Sequence, residues 1–366
     1  MKTIRRLIYG EVLAAVSFVT LGFLSLFFFF DFVDELQNLG KGEGATYQLT
    51  HALVYVLLLV PSHLYELLPI AVLIGSIFVM ARLAQSSEYT ILRTSGLGPW
   101  RTLRVLLLLG AVFTMLTFAV GDYVAPLADR SAQLLKSRFL DRITVGQTGA
   151  WLKEKQADRS FAVNVGALTP DGQLRNLRIF EFDRQGKLQA TIESAAAEFV
   201  PGGWLLADAR RTAFDQPNPD SAIVQRSQSD GLRWPTAITA EMVSVAILKP
   251  ERMSTLDLFH YIQHLNSNGQ TSQRYAIEFW KKVFYPLSCL VMVVLAMPFA
   301  YLHVRGSITG YVFGGVMTGI SFFLLNNLFS YIGNLQNWMP WLTAASAGLI
   351  YTAVSLAAFG WLVFRR

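Results

Sequence analysis

The sequence predicts an α-helical membrane protein with six transmembrane helices and an all-β domain inserted between helices 3 and 4. Two observations lead to this fold class. Six apolar runs are each long enough to cross a bilayer, which takes about 20 residues, and three lie on each side of a long polar segment. Within that segment, short alternating runs replace the long apolar ones. Only 15% of the 366 residues are charged, against about 25% in soluble domains, which argues against a water-soluble enzyme.

The first two of the six apolar runs have features that bear on how they cross the membrane. They cover residues 8–30, 51–81, 103–124, 284–302, 308–331 and 341–364. The first run is too long for a signal peptide and leads into acidic residues instead of a small-residue cleavage site, so we expect it to be retained. The second contains Pro61 and Pro69 and exceeds the thickness of the hydrocarbon core, so it must tilt, kink or protrude.

Charge predicts the orientation of these helices. The net charge of +6 could indicate nucleic-acid binding, so the positions of the charges matter. Segment 125–282 holds 20 of the 31 basic residues, and ten of the other eleven lie on one side of the predicted membrane. These ten are Lys2, Arg5, Arg6, Arg82, Arg93, Arg101, Arg104, Arg305, Arg365 and Arg366. Because basic residues in short loops mark the cytoplasmic side, both termini are predicted to be cytoplasmic and the insert to lie outside.

The polar insert has the pattern of a β domain. Strand-length runs rich in β-branched and aromatic residues occupy 160–168, 174–183, 188–200, 203–215 and 242–248, and turn signals such as Pro201-Gly202-Gly203 separate them. This pattern fits a sandwich, a jelly roll or a barrel. Three roles stay open: a rigid cap or docking module, a sheet whose open edge pairs with another β protein, or an apolar interior that holds a lipid chain.

A helix is predicted between the insert and the fourth span, over 254–282, with a break at Asn268-Gly269. Its apolar face is expected to consist of residues that recur at helical spacing. These are Leu256, Phe259, Ile262 and Leu265. We expect this helix to lie near the outer membrane surface.

Few residues suggest catalysis. His260 and His264 have a spacing compatible with metal binding, but Tyr261 stands where a zincin has glutamate and no third ligand stands out. A surface or aromatic-stacking role is favoured for both. The single cysteine, Cys289, excludes an intrachain disulfide. No GxSxG elbow and no GxxxxGK[ST] loop occurs. We therefore expect a protein that is not an enzyme and has no cofactor, with any ATP hydrolysis in a separate chain.

Some residues within the spans are candidates for gating or packing. Glu66 is a carboxylate inside the second apolar run, where an ionisable group is a functional candidate by default, although solvation near the membrane surface explains it equally well. Asp34, at the outer end of the first span, is a further candidate, for which solvation at the membrane surface is the favoured explanation. The fifth span contains two overlapping small-xxx-small pairs, suited either to packing within the chain or to a mobile seam against a second subunit. They are formed by Gly310, Gly314, Gly315 and Gly319.

The loop between the second and third spans, about residues 83–102, is the one sizeable cytoplasmic loop of the predicted topology. Ser86 or Ser87 can cap a short helix with Glu88 in its first turn, and Gly96 can end it. Its basic residues, Arg93 among them, could simply be positive-inside determinants. The loop is therefore the expected contact for a cytoplasmic partner.

Several local motifs resemble those of a known family. They are Phe32-Val33-Asp34-Glu35-Leu36, Leu68-Pro69-Ile70-Ala71 with Leu73-Ile74-Gly75, the loop from Ser87-Glu88 to Arg93-Thr94-Ser95-Gly96, and Gly269-Gln270 leading to Phe279-Trp280-Lys281-Lys282 and Pro286. Together with the order of three spans, an outer β domain and three spans, they resemble the LptF/LptG family, the permeases of the bacterial lipopolysaccharide exporter. The first motif favours the LptG branch of that family.

The resemblance implies a permease subunit of an ABC-type exporter in the bacterial inner membrane. It would extract lipopolysaccharide and pass it, through a periplasmic β-jelly-roll domain, to a jelly-roll bridge toward the outer membrane. Its partners would be an LptF-like sister permease, an LptB-like ATPase dimer and an LptC-like periplasmic jelly-roll protein. The domains would be 1–127 with helices 1–3, 128–253 with the jelly roll, and 254–366 with the amphipathic connector and helices 4–6.

The resemblance also assigns roles to residues. Glu88, Arg93 and Gly96 would belong to a coupling helix seated on the ATPase, and the first and fifth spans would line the lipid gates. Family members often have lysines near the outer end of the first span, where this chain has Asp31 and its nearest cation is Lys41.

Three other cations follow the third span and are better candidates for binding lipid phosphates. They are Arg130, Lys136 and Arg138, and Lys136 lies where the family commonly has a basic residue. Two other functions stay open: a mechanotransmitting permease for lipoproteins, and a membrane-anchored periplasmic scaffold whose β domain recruits proteins.

Overall fold

The computed structural model of the chain describes most of its residues and divides it into two compact units. The described residues are 2–40, 47–86, 98–140, 150–156, 158–168, 173–218, 221–239, 242–243, 250–300 and 308–364. The helical unit comprises residues 1–33, 59–127 and 273–366, and the β unit comprises residues 34–58 and 128–272.

Nine α-helices make up the helical part of the chain. They are α1 (Lys2–Leu36), α2 (Leu49–Gln85), α3 (Pro99–Ala119), α4 (Ala125–Leu140), α5 (Thr255–Ser267), α6 (Gln273–Phe284), α7 (Ser288–Ala296), α8 (Ile308–Leu335) and α9 (Pro340–Phe364). A π-helical turn, Val120–Val124, joins α3 to α4, and a 3-10 turn, Tyr285–Leu287, joins α6 to α7. This count refers to the described residues alone.

The six predicted spans are confirmed. Six helical stretches of the described chain are long and apolar enough to cross a membrane: Arg5–Leu36, Leu49–Gln85, Trp100–Lys136, Gln273–Phe299, Thr309–Leu335 and Pro340–Trp361. Several are longer than the apolar runs, because the polar residues that flank a run continue the same helix. The second stretch passes through Pro61 and Pro69 without ending, and it is the most buried of the six.

The predicted β domain is also confirmed, and its strands form one antiparallel sheet. The strands are β1 (Ala150–Lys155), β2 (Ser160–Leu168), β3 (Leu174–Phe182), β4 (Leu188–Val200), β5 (Gly203–Asn218) and β6 (Ser221–Pro235). They are hydrogen-bonded in sequence order, from β1 to β6. The described strands therefore form a simple meander with β1 and β6 at its edges. Of the strand predicted at 242–248, Met242 and Val243 lie in a helical turn, and the other residues lie outside the described part.

The core of the β unit is closed by the chain that follows β6. Trp204 is fully buried, its ring lies 5.2 Å from that of Trp234, and its indole N–H donates to the carbonyl of Ile238 at 2.9 Å. The buried carboxylate of Glu154, on β1, accepts from the backbone N–H of Ala237 at 2.9 Å and from the hydroxyl of Thr236. The two ends of the meander thus meet around one core. Residues 223–231 of β6, in contrast, are exposed throughout.

Helix α5 forms where a helix is predicted, but it buries only part of the predicted apolar face. Ser254 and Asp257 form a capping box at its start, and Gly269, with φ of +65°, follows its end. Leu256 and Phe259, predicted on the apolar face, are exposed by 66% and 46%. The buried residues are Leu258, Tyr261 and Leu265. The prediction is therefore right at Leu265 and wrong at Leu256 and Phe259, because the helix carries apolar residues on more than one side.

Candidate functional site

Two helices of the helical unit carry broad exposed apolar faces. On α1 these faces include Phe18 and Phe30, and on α8 they include Phe313 and Leu324, each more than half exposed. The first and fifth spans bury the smallest shares of their surfaces among the six. In a membrane-spanning protein such faces contact lipid or another chain. They are the same two spans that the resemblance assigns to the lipid gates.

Glycines set how closely α1 and α8 approach α2. A Cβ on Gly75 of α2 would lie 2.7 Å from Val16 Cγ2 of α1, so the two helices pack with no room for a side chain there. On α8, a Cβ at Gly315 or Gly319 would lie within 2.9 Å of an isoleucine of α2.

The other two predicted glycines of α8 lie in open space. A Cβ on Gly310 or Gly314 would have no neighbour within 4 Å. The small residues predicted on this helix therefore form two groups. Gly315 and Gly319 serve packing inside the chain, and Gly310 and Gly314 lie on a side where the described chain makes no close contact.

An acidic residue and a histidine link α1 to α2. The His63 Nε2 and the Asp31 Oδ2 are 2.6 Å apart, and the ring of Phe27 stacks on the His63 ring with centroids 4.9 Å apart. Sequence reasoning noted Asp31 as a departure from the family pattern but missed its partner. A histidine inside an apolar run, next to Pro61, was the available signal.

The candidate cation Lys136 lies in the β unit beside a buried carboxylate. Its Nζ is 2.8 Å from Glu35 Oε2 and 4.5 Å from the centre of the Tyr55 ring. Glu35 is only 4% exposed, whereas its predicted neighbour Asp34 is exposed. Burial and the nearby Glu35 carboxylate raise the pKa of Tyr47 well above its usual range. The structure thus places Glu35, rather than Asp34, in a charged cluster with Lys136.

The candidate cation Arg130 lies one turn and a half earlier on α4. It donates to Asp257 Oδ2 at 2.9 Å, and the same carboxylate accepts from the N–H of Ser254 in the α5 capping box. The contacts of the other two candidate cations, Lys41 and Arg138, are not described. Lys41 lies outside the described residues, and for Arg138 the described part is the helical backbone alone.

Glu66 lies on α2, in the helical unit, close to several polar side chains. Its side chain is exposed, and its carbonyl accepts from the Tyr285 hydroxyl at 2.6 Å. Near it, the Lys282 Nζ donates to the carbonyl of Gly121 at 2.8 Å and lies 5.5 Å from the centre of the Tyr65 ring. In the sequence, Lys282 belongs to a family motif but lies two residues before the fourth apolar run, 284–302, so no role was predicted for it. The helical stretch Gln273–Phe299 includes it, and a lysine inside a membrane span is a functional signal.

The predicted coupling residues lie outside the described part of the chain. Glu88, Arg93 and Gly96 fall between the end of α2 at Gln85 and the start of α3 at Pro99. Their role therefore stays a prediction.

The histidines of α5 are engaged with aromatic and amide groups. The His264 ring stacks on Tyr261 with centroids 6.2 Å apart, the Asn268 amide lies 3.3 Å from its Nδ1, and burial lowers the pKa of His264. His260 has its ring centre 6.1 Å from that of Phe259. Over the described ranges, no group of three or more histidine, cysteine or acidic side chains is arranged to hold a metal ion.

Sequence comparisons give the chain's relatives. Residues 6–362 match the family described as lipopolysaccharide export system permease LptF/LptG. Lipopolysaccharide export system permease protein LptG of Escherichia coli strain K12 is 28% identical over 363 residues, which cover 98% of this chain and 97% of that protein. LptG of Haemophilus influenzae is 24% identical over 371 residues, which cover 100% of this chain and 99% of that protein. The chain therefore belongs to the LptF/LptG family of lipopolysaccharide export permeases.

Proposed function

We propose that this chain is the permease subunit of an ABC-type exporter that extracts lipopolysaccharide from the inner membrane and passes it to a periplasmic jelly-roll bridge. The observation that supports this most strongly is the family match over residues 6–362, which takes in all six spans and the β insert together. In this proposal both termini are cytoplasmic and the β unit is periplasmic, as the ten basic residues on one side of the membrane favour.

The energetics of the cargo are consistent with the surfaces of the chain. Moving a lipid chain from the bilayer into water costs about 0.8 kcal/mol for each CH₂ group, so a route for several acyl chains must be apolar throughout. The exposed faces of α1 and α8 offer such a surface in the membrane. The proposed gate lies between these faces and the sister permease, and the β unit takes the lipid onward.

Cargo crosslinking in the purified transporter complex tests this proposal. A photoreactive residue at Phe313, which is 61% exposed on α8, is expected to crosslink to lipopolysaccharide in an ATP-dependent way. The same residue at Ile77, which is 1% exposed on α2, is the control and should give no lipid product. Crosslinking of Phe313 to a lipoprotein instead would favour the mechanotransmitting alternative and contradict lipopolysaccharide export.

ATP hydrolysis is assigned to an LptB-like dimer that binds the loop 83–102, in a complex with an LptF-like sister permease and an LptC-like protein. Glu88→Ala should uncouple transport or loosen binding of the ATPase, because Glu88 is the acidic residue of the proposed coupling helix. Thr90→Ala in the same loop is the matched control. Co-purification of the ATPase and its activity are measured, and a fully assembled, fully active Glu88→Ala complex would refute the role.

Lys136 is the candidate for binding a lipid phosphate, and its ion pair with Glu35 allows a sharp test. Lys136→Glu should weaken stimulation of ATPase activity by lipopolysaccharide about tenfold, because a charge-assisted contact contributes about 1.5–3 kcal/mol. The double variant Lys136→Glu/Glu35→Lys restores an ion pair of opposite direction. It should recover thermal stability but not the stimulation. If the stimulation returns with the pair, Lys136 serves only to hold α4 to α1.

A further inference from the structure

Helix α1 is buried along only part of its length. Ile8, Val12, Val16 and Thr20 are each buried, and their spacing of four residues places them on one side of the helix. Residues 21–33 continue the same helix, and none of them is buried. We call residues 8–20 the packed segment and residues 21–33, which extend over about 20 Å, the distal segment.

Each segment makes a polar contact with α2. In the packed segment, the Glu11 Oε2 lies 2.5 Å from the Arg82 Nη2. In the distal segment, the Asp31 Oδ2 lies 2.6 Å from the His63 Nε2, and the Phe27 ring stacks on the His63 ring. The residue numbers on α2 fall as those on α1 rise, so the two helices run antiparallel and are linked toward both ends of α1.

The distal segment depends on its polar contact more than the packed segment does. Apolar side chains that face lipid gain no hydrophobic energy by leaving it for a neighbouring helix, so exposed residues such as Phe30 do not hold this segment on α2. One interhelical hydrogen bond in a membrane changes an equilibrium by about three- to twentyfold. A contact of this strength positions the segment and can still open within a transport cycle.

A glycine and a serine mark the boundary between the two segments. Gly22 faces open space, since a Cβ there would have no neighbour within 4 Å. The hydroxyl of Ser25 donates to the carbonyl of Gly22 at 2.9 Å, and a side-chain hydrogen bond of this kind often bends a helix. Glycine and serine pairs are among the few places where helices kink. Helix α1 can therefore bend at the point where its burial ends.

We propose that the contact between Asp31 and His63 is a releasable latch. It holds the distal segment of α1 against α2, and its opening lets this segment move away from α2 by bending at Gly22 and Ser25. His63 is the positioning residue of the latch. The latch itself follows from contacts within the helical unit, whereas its opening in each transport cycle rests on the function proposed above.

His63→Phe removes the ring nitrogen, keeps an aromatic ring beside Phe27 and should open the latch. Spin labels at Phe30→Cys on the distal segment and Phe78→Cys on α2, both exposed positions, report the separation in the purified transporter complex by electron paramagnetic resonance. The Phe30–Phe78 distance should lengthen and its distribution should broaden when His63 is replaced. The native thiol, Cys289, is buried and gives little background.

Two controls confine the effect to the distal segment. The distance from a label at Phe18→Cys, an exposed position of the packed segment, to the label at Phe78→Cys should not change in His63→Phe. Glu11→Gln alters the other polar contact and should leave both distances unchanged, because buried side chains hold the packed segment. An unchanged Phe30–Phe78 distance in His63→Phe, or an equal change in the Phe18–Phe78 distance, overturns the proposal.

Exchange of the two groups separates the latch from a general loss of stability. Asp31→His/His63→Asp restores the hydrogen bond in the opposite direction and should return the Phe30–Phe78 distance toward its original value. A folded exchange variant in which that distance stays long contradicts the latch. If His63→Phe does not fold, Asp31→Leu opens the same contact from the other side. Failure of both variants to fold would show that the contact is required for folding and is not releasable, which overturns the proposal.

A covalent lock tests whether the latch opens during transport. Asp31→Cys/His63→Cys, joined by a short cleavable crosslinker, should stop lipopolysaccharide transport by the purified complex, and cleavage of the crosslinker should restore it. Glu11→Cys/Arg82→Cys, joined in the same way, is the matched control and should remain active. Equal effects of the two locks overturn the opening of the latch in the cycle. If the wild-type complex transports no lipopolysaccharide, the proposed function fails, and the label distances still decide whether the latch exists.

Discussion

The helical unit and the β unit bury charge in different ways. In the helical unit, the buried Lys282 is satisfied by a backbone carbonyl that a turn in another helix makes available. In the β unit, the buried carboxylates bond mainly to side chains: Glu181 contacts Arg159 and lies 3.1 Å from Arg211. The packing of the helical unit depends on glycines, which lack a side chain, and on a proline, which lacks a backbone N–H. The packing of the β unit depends on which side chains of each strand point into the core.

The largest effect is expected from the β core, at Trp204. Trp204→Ala should lower the free energy of unfolding by about 3–5 kcal/mol, since a fully buried aromatic side chain is removed. Trp204→Phe should cost less, about 1–3 kcal/mol, largely because the Ile238 carbonyl loses its donor. Trp151→Ala, at a tryptophan that is 51% exposed, is the matched control. Thermal unfolding of the intact chain in detergent measures all three, and equal shifts for Trp204→Ala and Trp151→Ala would contradict the assigned core.

In the helical unit, the largest loss of stability is expected from adding a side chain at a glycine and not from removing a side chain. Gly75→Val places a Cβ 2.8 Å from the backbone nitrogen of Val16, which cannot move aside as a side chain can. Overpacking of this kind costs about 1–3 kcal/mol. Gly22→Val, where a Cβ meets nothing within 4 Å, should be close to neutral. The yield and melting temperature of monodisperse protein are compared, and indistinguishable variants would show that α1 and α2 are not in close contact.

The smallest effect concerns a surface turn of the β unit, at Asp183. The N–H of Lys187, and then the Gln189 amide and the N–H of Gln185, hold the pKa of this carboxyl below its usual range. Because the pKa is lower in the folded state, the stabilisation is present above the unfolded-state pKa and is lost as the pH falls through the folded one. Asp183→Asn should therefore lower the melting temperature slightly at pH 7, and the difference should disappear as the pH falls through the folded-state pKa of Asp183. Asp230→Asn, on the exposed part of β6, is the control, and a larger effect of Asp183→Asn in acid than at neutral pH would contradict this sign.

The sequence predicts those elements whose pattern is set by a single buried face. β2 and β4 lie at the predicted bounds 160–168 and 188–200, because their sequences carry the β-branched and aromatic residues typical of strands and end at turn signals. β6 was not predicted, since residues 223–231 are exposed on both faces and leave no alternation to detect. The apolar face of α5 was predicted correctly at Leu265 but not at Leu256 and Phe259, because apolar residues on more than one side of a helix do not indicate which side packs against the core.

The sequence predicts which cations belong to the candidate site, but it does not predict the carboxylates that pair with them. Lys136 and Arg130 stand out as charges next to a membrane span, whereas Glu35 and Asp257 lie 101 and 127 residues away in the chain. The contact of Lys282 was even harder to predict. Its partner is the carbonyl of Gly121, which is available because the N–H of Ala125 donates to Val120 instead. No residue spacing links positions 121 and 282.

The exposed stretch of β6 has a consequence for recognition. Its outer edge presents a row of backbone donors and acceptors, and no described strand continues the sheet beyond it. Residues 223–231 are exposed and mostly polar. A strand added at this edge would be bound mainly by main-chain hydrogen bonds, with little side-chain contact to select its sequence. The sequence of a partner strand could therefore diverge without loss of binding.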